Sequence, residues 1–160
     1  MEQTCAGFRH AVIETGIGKV PQTDLLIHIE KEHASERSLC DLLESIADDL
    51  PDSISHARAT LVIKSLRSGL KRHIVLYERF LMPMLLKRAG MDDNTKVLAS
   101  QAAAEHAADE CLAHDIADLL ERALERGRVD NAERLGYMLY CFFECRRRHL
   151  VWEETVILPL

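Results

Sequence analysis

Aromatic residues are scarce in this chain, at 5 % of its 160 residues, and glycine and proline number only seven and four. Apolar and polar residues alternate over no useful length, so there is nothing here to build a sheet from. The longest apolar runs are far too short to span a bilayer. Net positive charge is also missing: the formal balance is −6 with histidines neutral. That gives no support to binding nucleic acid through a basic face. From Met1 to about Val20 there is neither the charged start nor the apolar block of a signal peptide. The five cysteines (Cys5, Cys40, Cys111, Cys141 and Cys145) are odd in number and scattered. They make no disulfide framework and suit a reducing cytosol, so a cytoplasmic chain with no membrane partner is expected.

What remains is a helix-forming mixture of Ala, Leu, Glu, Arg and Lys. Apolar residues at 48 % and charged residues at 29 % indicate one globular domain. Residues 1–21 read as an irregular lead-in, with Gly7, Gly16 and Gly18 discouraging a helix, and a domain over 22–160 follows. Apolar spacing predicts helices at about 23–49, 54–88, 95–126 and 130–158. Their inward rows are Leu26, Ile29, His33, Cys40, Leu43 and Ala47; Leu61, Leu66, Leu70, His73, Leu76 or Tyr77, Phe80 and Met84; Ala102, His106, Glu110, Ala113, Ala117, Leu120 and Leu124; and Leu135, Met138, Phe142, Cys145, His149, Trp152 and Val156. Leu50-Pro51 breaks the first helix, with Asp52 or Ser53 able to cap the next. Gly90 and Gly127 stop the second and third, and Pro83 should kink the second or mark its last turns. Short connections make this an all-α, up-down-up-down antiparallel four-helix bundle.

The second and fourth helices repeat one another. His73-Ile-Val-Leu-Tyr77-Glu78 leading to Pro83 aligns without gaps on His149-Leu-Val-Trp-Glu153-Glu154 leading to Pro159, and a basic residue precedes each histidine. Glu32-His33-Ala34 matches Glu105-His106-Ala107 more briefly. Counted from the turns at roughly 1.5 Å per residue, the four histidines stand within about 6 Å of one height. Buried imidazoles side by side repel when charged and waste hydrogen bonds when neutral, and a metal ion resolves both. A carboxylate four residues after a histidine lies one turn along the same face, as Glu153 does from His149 and Glu110 from His106. His28 and His114 lie away from this layer. Cys141, Cys145, His149 and Glu153 form a stripe at four-residue steps, read as packing or as a redox pair beneath the metal. Arg146-Arg147-Arg148 spreads around its helix and reads as solvated surface.

These blocks, Glu32-His33, His73 with its following acids and Pro83, Glu105-His106, and His149-x3-Glu153 with Pro159, resemble the hemerythrin-like HHE cation-binding family over about residues 22–160. The resemblance implies a non-haem di-iron site inside the bundle. His33, His73, His106 and His149 would be terminal ligands and Glu153 a bridging carboxylate. The family pattern has Glu where this chain has Tyr77. Tyr77 ligates as a phenolate, Glu78 supplies the oxygen instead, or the second bridge is missing. Glu110 and Glu154 are further candidates. Iron is the expected metal, with manganese or zinc as alternatives. The implied role is binding or sensing O2, NO or peroxide. Turnover of NO or peroxide, or iron-centre repair, is an alternative, and a zinc-bound or metal-free interaction module is another. A dimer is compatible with the pattern.

Overall fold

The computed structural model describes residues 22–52 and 54–160, with side chains from residue 24 onward. The expected lead-in over 1–21, Cys5 and the candidate cap Ser53 lie outside the described residues. Four rods follow in order. α1 is Gln22–Asp49 and ends at Leu50-Pro51, where the proline ring disfavours helical backbone before it. α2 occupies 56–88, α3 is Asp93–Arg126, and α4 occupies 132–157. No strand is present among the described residues. Each rod packs on its two neighbours around a square, α1 on α2 and α4, and α3 on α2 and α4.

The ends are fixed locally. Ser55 caps α2 by accepting from the Arg58 N–H. Asp92 caps α3, its Oδ1 accepting from Thr95 N–H at 3.1 Å and its Oδ2 from the Thr95 hydroxyl at 2.5 Å. Asn131 Oδ1 caps α4 through Arg134 N–H at 2.8 Å. Gly127 closes α3 in left-handed backbone at φ 66°, a conformation a Cβ would strain. Because Asp92 satisfies two donors at one helix start, Asp92→Ala should cost about 1–2 kcal/mol. A urea titration measures this as a lower midpoint at unchanged slope.

α2 and α4 are not uniform α-helix. In α2, α-helical stretches alternate with the π-helical turns Ser65–Gly69 and Tyr77–Leu81. α4 ends in the π turn Glu153–Ile157. In these last two turns the N–H bonds five residues back, Met82 to Tyr77 O and Leu158 to Glu153 O. Each starts four residues after a histidine and ends two before a proline. A proline offers no N–H and its ring crowds the carbonyl four residues earlier, and a wide turn just ahead of it relieves both. The expected interruption at Pro83 is therefore a π turn, after which the helix resumes as Met82–Arg88.

Three inward rows differ from expectation, one of them on α3, where Asp109 is buried in place of Glu110. Leu61 is 56 % exposed and Val62 is buried in its place. Leu61 lies five residues before Leu66, about 140° around a helix of 3.6 residues per turn. On α4 Cys145 is exposed and Arg146 is buried at 1 % exposure, so the arginine run is not all solvated surface. Four-residue steps drift by about 40° each. Going back from His149, the row of Cys145 and Cys141 drifts off the core, and Arg146 falls on the side of Phe142 and Leu139. A redox pair beneath the site is not formed.

The core is two apolar clusters. One holds Leu43, Ile46, Leu66, Leu120, Leu139 and Phe142, and the other Leu25, Ile29, Leu81, Leu85, Ala102 and Ile157. Between them lies a buried polar layer: His33, Glu36, His73, His106, Asp109, Arg146, His149 and Glu153. No helix among the described residues is long and apolar enough to cross a membrane.

Candidate metal centre

The polar layer takes one histidine from each rod. Neighbouring rings stand close: His33 to His73 at 5.5 Å between centroids, His73 to His106 at 5.3 Å, and His106 to His149 at 5.1 Å. All four turn Nε2 toward Glu153, which is fully buried at the first residue of its π turn. Glu153 Oε1 lies 3.2 Å from His73 Nε2, 3.2 Å from His106 Nε2 and 3.0 Å from His149 Nε2. Glu153 Oε2 lies 3.1 Å from His33 Nε2. Tyr77, at the matching first residue of the α2 π turn, brings its hydroxyl to 3.1 Å from the same His33 Nε2. The sequence repeat is thus also a backbone repeat, with a carboxylate in one half and a phenol in the other.

Behind each ring stands a carboxylate. Glu154 accepts from His33 Nδ1 at 2.8 Å, and Glu105 accepts from His149 Nδ1. Glu36 Oε1 lies 3.1 Å from His73 Nδ1 and Glu78 Oε1 3.5 Å from His106 Nδ1, both off a hydrogen-bond line. Glu154 and Glu78 are equivalent under the repeat and face His33 and His106, which are also equivalent. Such outer acids fix the tautomer and aim of a ligating imidazole. Glu78 and Glu154 therefore stand behind the rings rather than among the Nε2 atoms. Glu110 is half-exposed and joins no contact of the cluster, and the inward place on its turn goes to Asp109. His28 and His114 are exposed and bond their own helix carbonyls.

Sequence reasoning missed Glu36, Asp109 and Arg146, and the orienting role of Glu105. Arg146 Nε donates to Glu36 Oε2, and its Nη1 donates to Asp109 Oδ2 at 3.1 Å. The signal was present, since Glu36 and Asp109 each stand three residues after a layer histidine.

The electrostatics follow from the burial. Desolvation alone would raise the Glu153 carboxyl, but the facing imidazoles of His106, His149, His33 and His73 outweigh it and hold it far below the usual carboxylate range. Burial first, and then the Glu153 charge, push the Tyr77 phenol up. Desolvation prevails at His73 and lowers it, while His33 and His106 are raised despite burial by the facing Glu153 carboxylate and by Glu154 or Glu78 behind the ring. Desolvation also pulls down on Arg146, but Glu36, Glu153 and Asp109 raise it overall.

The donor set fits a cation. With Nδ1 protons turned to the outer acids, four Nε2 lone pairs and two carboxylate oxygens face one another. The buried Glu153 Oε2 has no hydrogen-bond partner. Acceptors so arranged repel unless protons or metal ions lie between them. His73, His106, His149 and Glu153 alone offer ligand atoms within 4.8 Å of one another, enough to hold one ion.

The model of the hemerythrin HHE cation-binding domain matches residues 24–160. No curated protein and no solved structure matches the chain.

Proposed function

This chain belongs to the hemerythrin HHE cation-binding domain family, and on that premise we propose that its buried layer holds a non-haem dinuclear iron centre that binds or senses O2, NO or peroxide. The observation that carries the reading is the convergence of four Nε2 atoms on the two oxygens of Glu153. His73, His106, His149 and Glu153 Oε1 would hold one ion. His33, Tyr77 and Glu153 Oε2 would hold the other. Imidazoles mixed with carboxylate and phenol oxygens suit iron, and manganese or zinc are the alternatives.

Bound iron supplies an open coordination position for a small ligand. The chain's own residues do the rest. Glu154 and Glu105 aim His33 and His149 through Nδ1, Glu36 and Glu78 stand behind His73 and His106, and Leu81, Leu25 and Ile157 keep bulk water from one side. Burial and the Glu153 charge hold the proton on Tyr77. The test is optical: metal-replete protein titrated with NO, O2 and peroxide should change spectrum with at least one of them. No change with any of the three overturns the reading.

The two sets of donors are unequal, and that has a measurable consequence. Tyr77→Phe removes an oxygen only from the His33 side. It should leave the three-imidazole position filled, so that iron falls from about two to about one per chain (taking the fourfold N/O donor set as one position). Elemental analysis after dialysis reads this, and two irons in the variant would remove Tyr77 from the ligand set. A specific observation also favours turnover as a second reading. The phenol of Tyr77 touches His33 Nε2 and stacks on His73 with centroids 4.5 Å apart, placing a group capable of one-electron chemistry beside the site. Sustained peroxide or NO consumption by wild type, lost in Tyr77→Phe, would establish it.

A further inference from the structure

The buried cation of the layer has no role in the reading above. Arg146 is 1 % exposed and sits on α4 between α1 and α3. It binds Glu36 through Nε and Asp109 through Nη1, while its Nη2 is buried without a partner. Glu36 and Asp109 are 4 % and 8 % exposed. The repeat makes these two acids equivalent, each three residues beyond a layer histidine. It does not supply two cations. Arg146, three residues before His149, corresponds to Leu70, three before His73. One guanidinium therefore serves two buried carboxylates.

Both acids are buried in the same layer as the four histidines. Glu36 already reaches His73 Nδ1 at 3.1 Å through its other oxygen, and Asp109 is one turn from His106 on the same face. A carboxylate without a partner in this layer would move to the metal, because a buried uncompensated anion is the costliest arrangement open to it. A guanidinium fork holds carboxylates in fixed geometry, which a point charge does not.

Resting on the iron reading above, we propose that Arg146 is a positioning residue that withholds Glu36 and Asp109 from the metal ions. Held by Nε, Glu36 stays on the Nδ1 side of the His73 ring. Held by Nη1, Asp109 stays out of the ligand set. The centre keeps Glu153 as its one internal carboxylate, and a coordination position remains open for a small ligand. Without the arginine, two anions are released toward the ions, and the more anionic ligand set stabilises the oxidised metal.

The test uses the full-length, iron-loaded protein and compares midpoint potential and near-ultraviolet spectrum. Arg146→Met should lower the potential and shift the spectrum. Adding Asp109→Asn to it should return both part of the way toward wild type, which a packing role for Arg146 does not predict. Arg146→Lys should fall between. Asp109→Asn alone should keep the wild-type spectrum, since Asp109 is held away from the metal. An Arg146→Met protein with wild-type potential and spectrum overturns the proposal, as does an Arg146→Met/Asp109→Asn protein that is shifted as far as Arg146→Met alone. If Arg146→Met does not fold, a changed spectrum in Asp109→Asn overturns it and an unchanged one supports it. A wild-type chain that takes up no metal overturns the iron reading itself, a result visible before any variant is made.

Discussion

Glutamine in place of Glu153 should leave the bundle folded and strip it of metal. The side chain is fully buried at the hub of the layer, with four imidazole Nε2 atoms at 3.0–3.2 Å from its two oxygens. Glutamine matches its shape, so Ile157 and the rest of the π turn keep their packing. It removes the one carboxylate that all four rings share, and it turns two N–H donors toward the place of a cation. Losing an orienting partner behind a ligand costs about 10–100-fold in metal affinity, and losing the hub should exceed about 100-fold. Elemental analysis after dialysis measures the loss, and circular dichroism checks the fold. Wild-type metal content in Glu153→Gln would remove the hub from the account.

Chelating the metal should lower the melting temperature by roughly 8–16 °C. A ligand at about a thousand times its dissociation constant adds about 4 kcal/mol to the folded state. In a domain of this length, 160 residues, each kcal/mol moves the midpoint by about 2–4 °C. The structure gives a reason for the metal-free form to be the weaker one. Its polar layer divides the core in two, and Glu153 Oε2, which faces the imidazole Nε2 atoms, is buried there without a hydrogen-bond partner. Scanning calorimetry with and without chelator checks this, and equal melting temperatures would count against a formed metal site.

The bundle was legible because helical periodicity and stops are local. Gly90, Gly127 and Leu50-Pro51 mark helix ends through backbone chemistry that a sequence displays directly. The histidine layer was legible because counting residues along rods measures height. What could not be read was rotation. A row at four-residue steps drifts around the helix, so Cys145 was placed inward when Arg146 holds that position. The same limit gave Glu110 the inward place that belongs to Asp109. The π turns were hidden as well, although His73 to Pro83 and His149 to Pro159 carry the same spacing. Those turns put Tyr77 beside His33 and leave Glu78 behind His106. Periodicity alone cannot separate the two, because they are adjacent in sequence and differ only in which way a widened turn points them.

The most direct test of the dinuclear iron centre is the metal content of freshly purified protein, read together with its optical spectrum. The account predicts about two irons per chain and near-ultraviolet ligand-to-iron absorption, both lost in Glu153→Gln. A chain that carries only zinc, or no metal above trace, would contradict it.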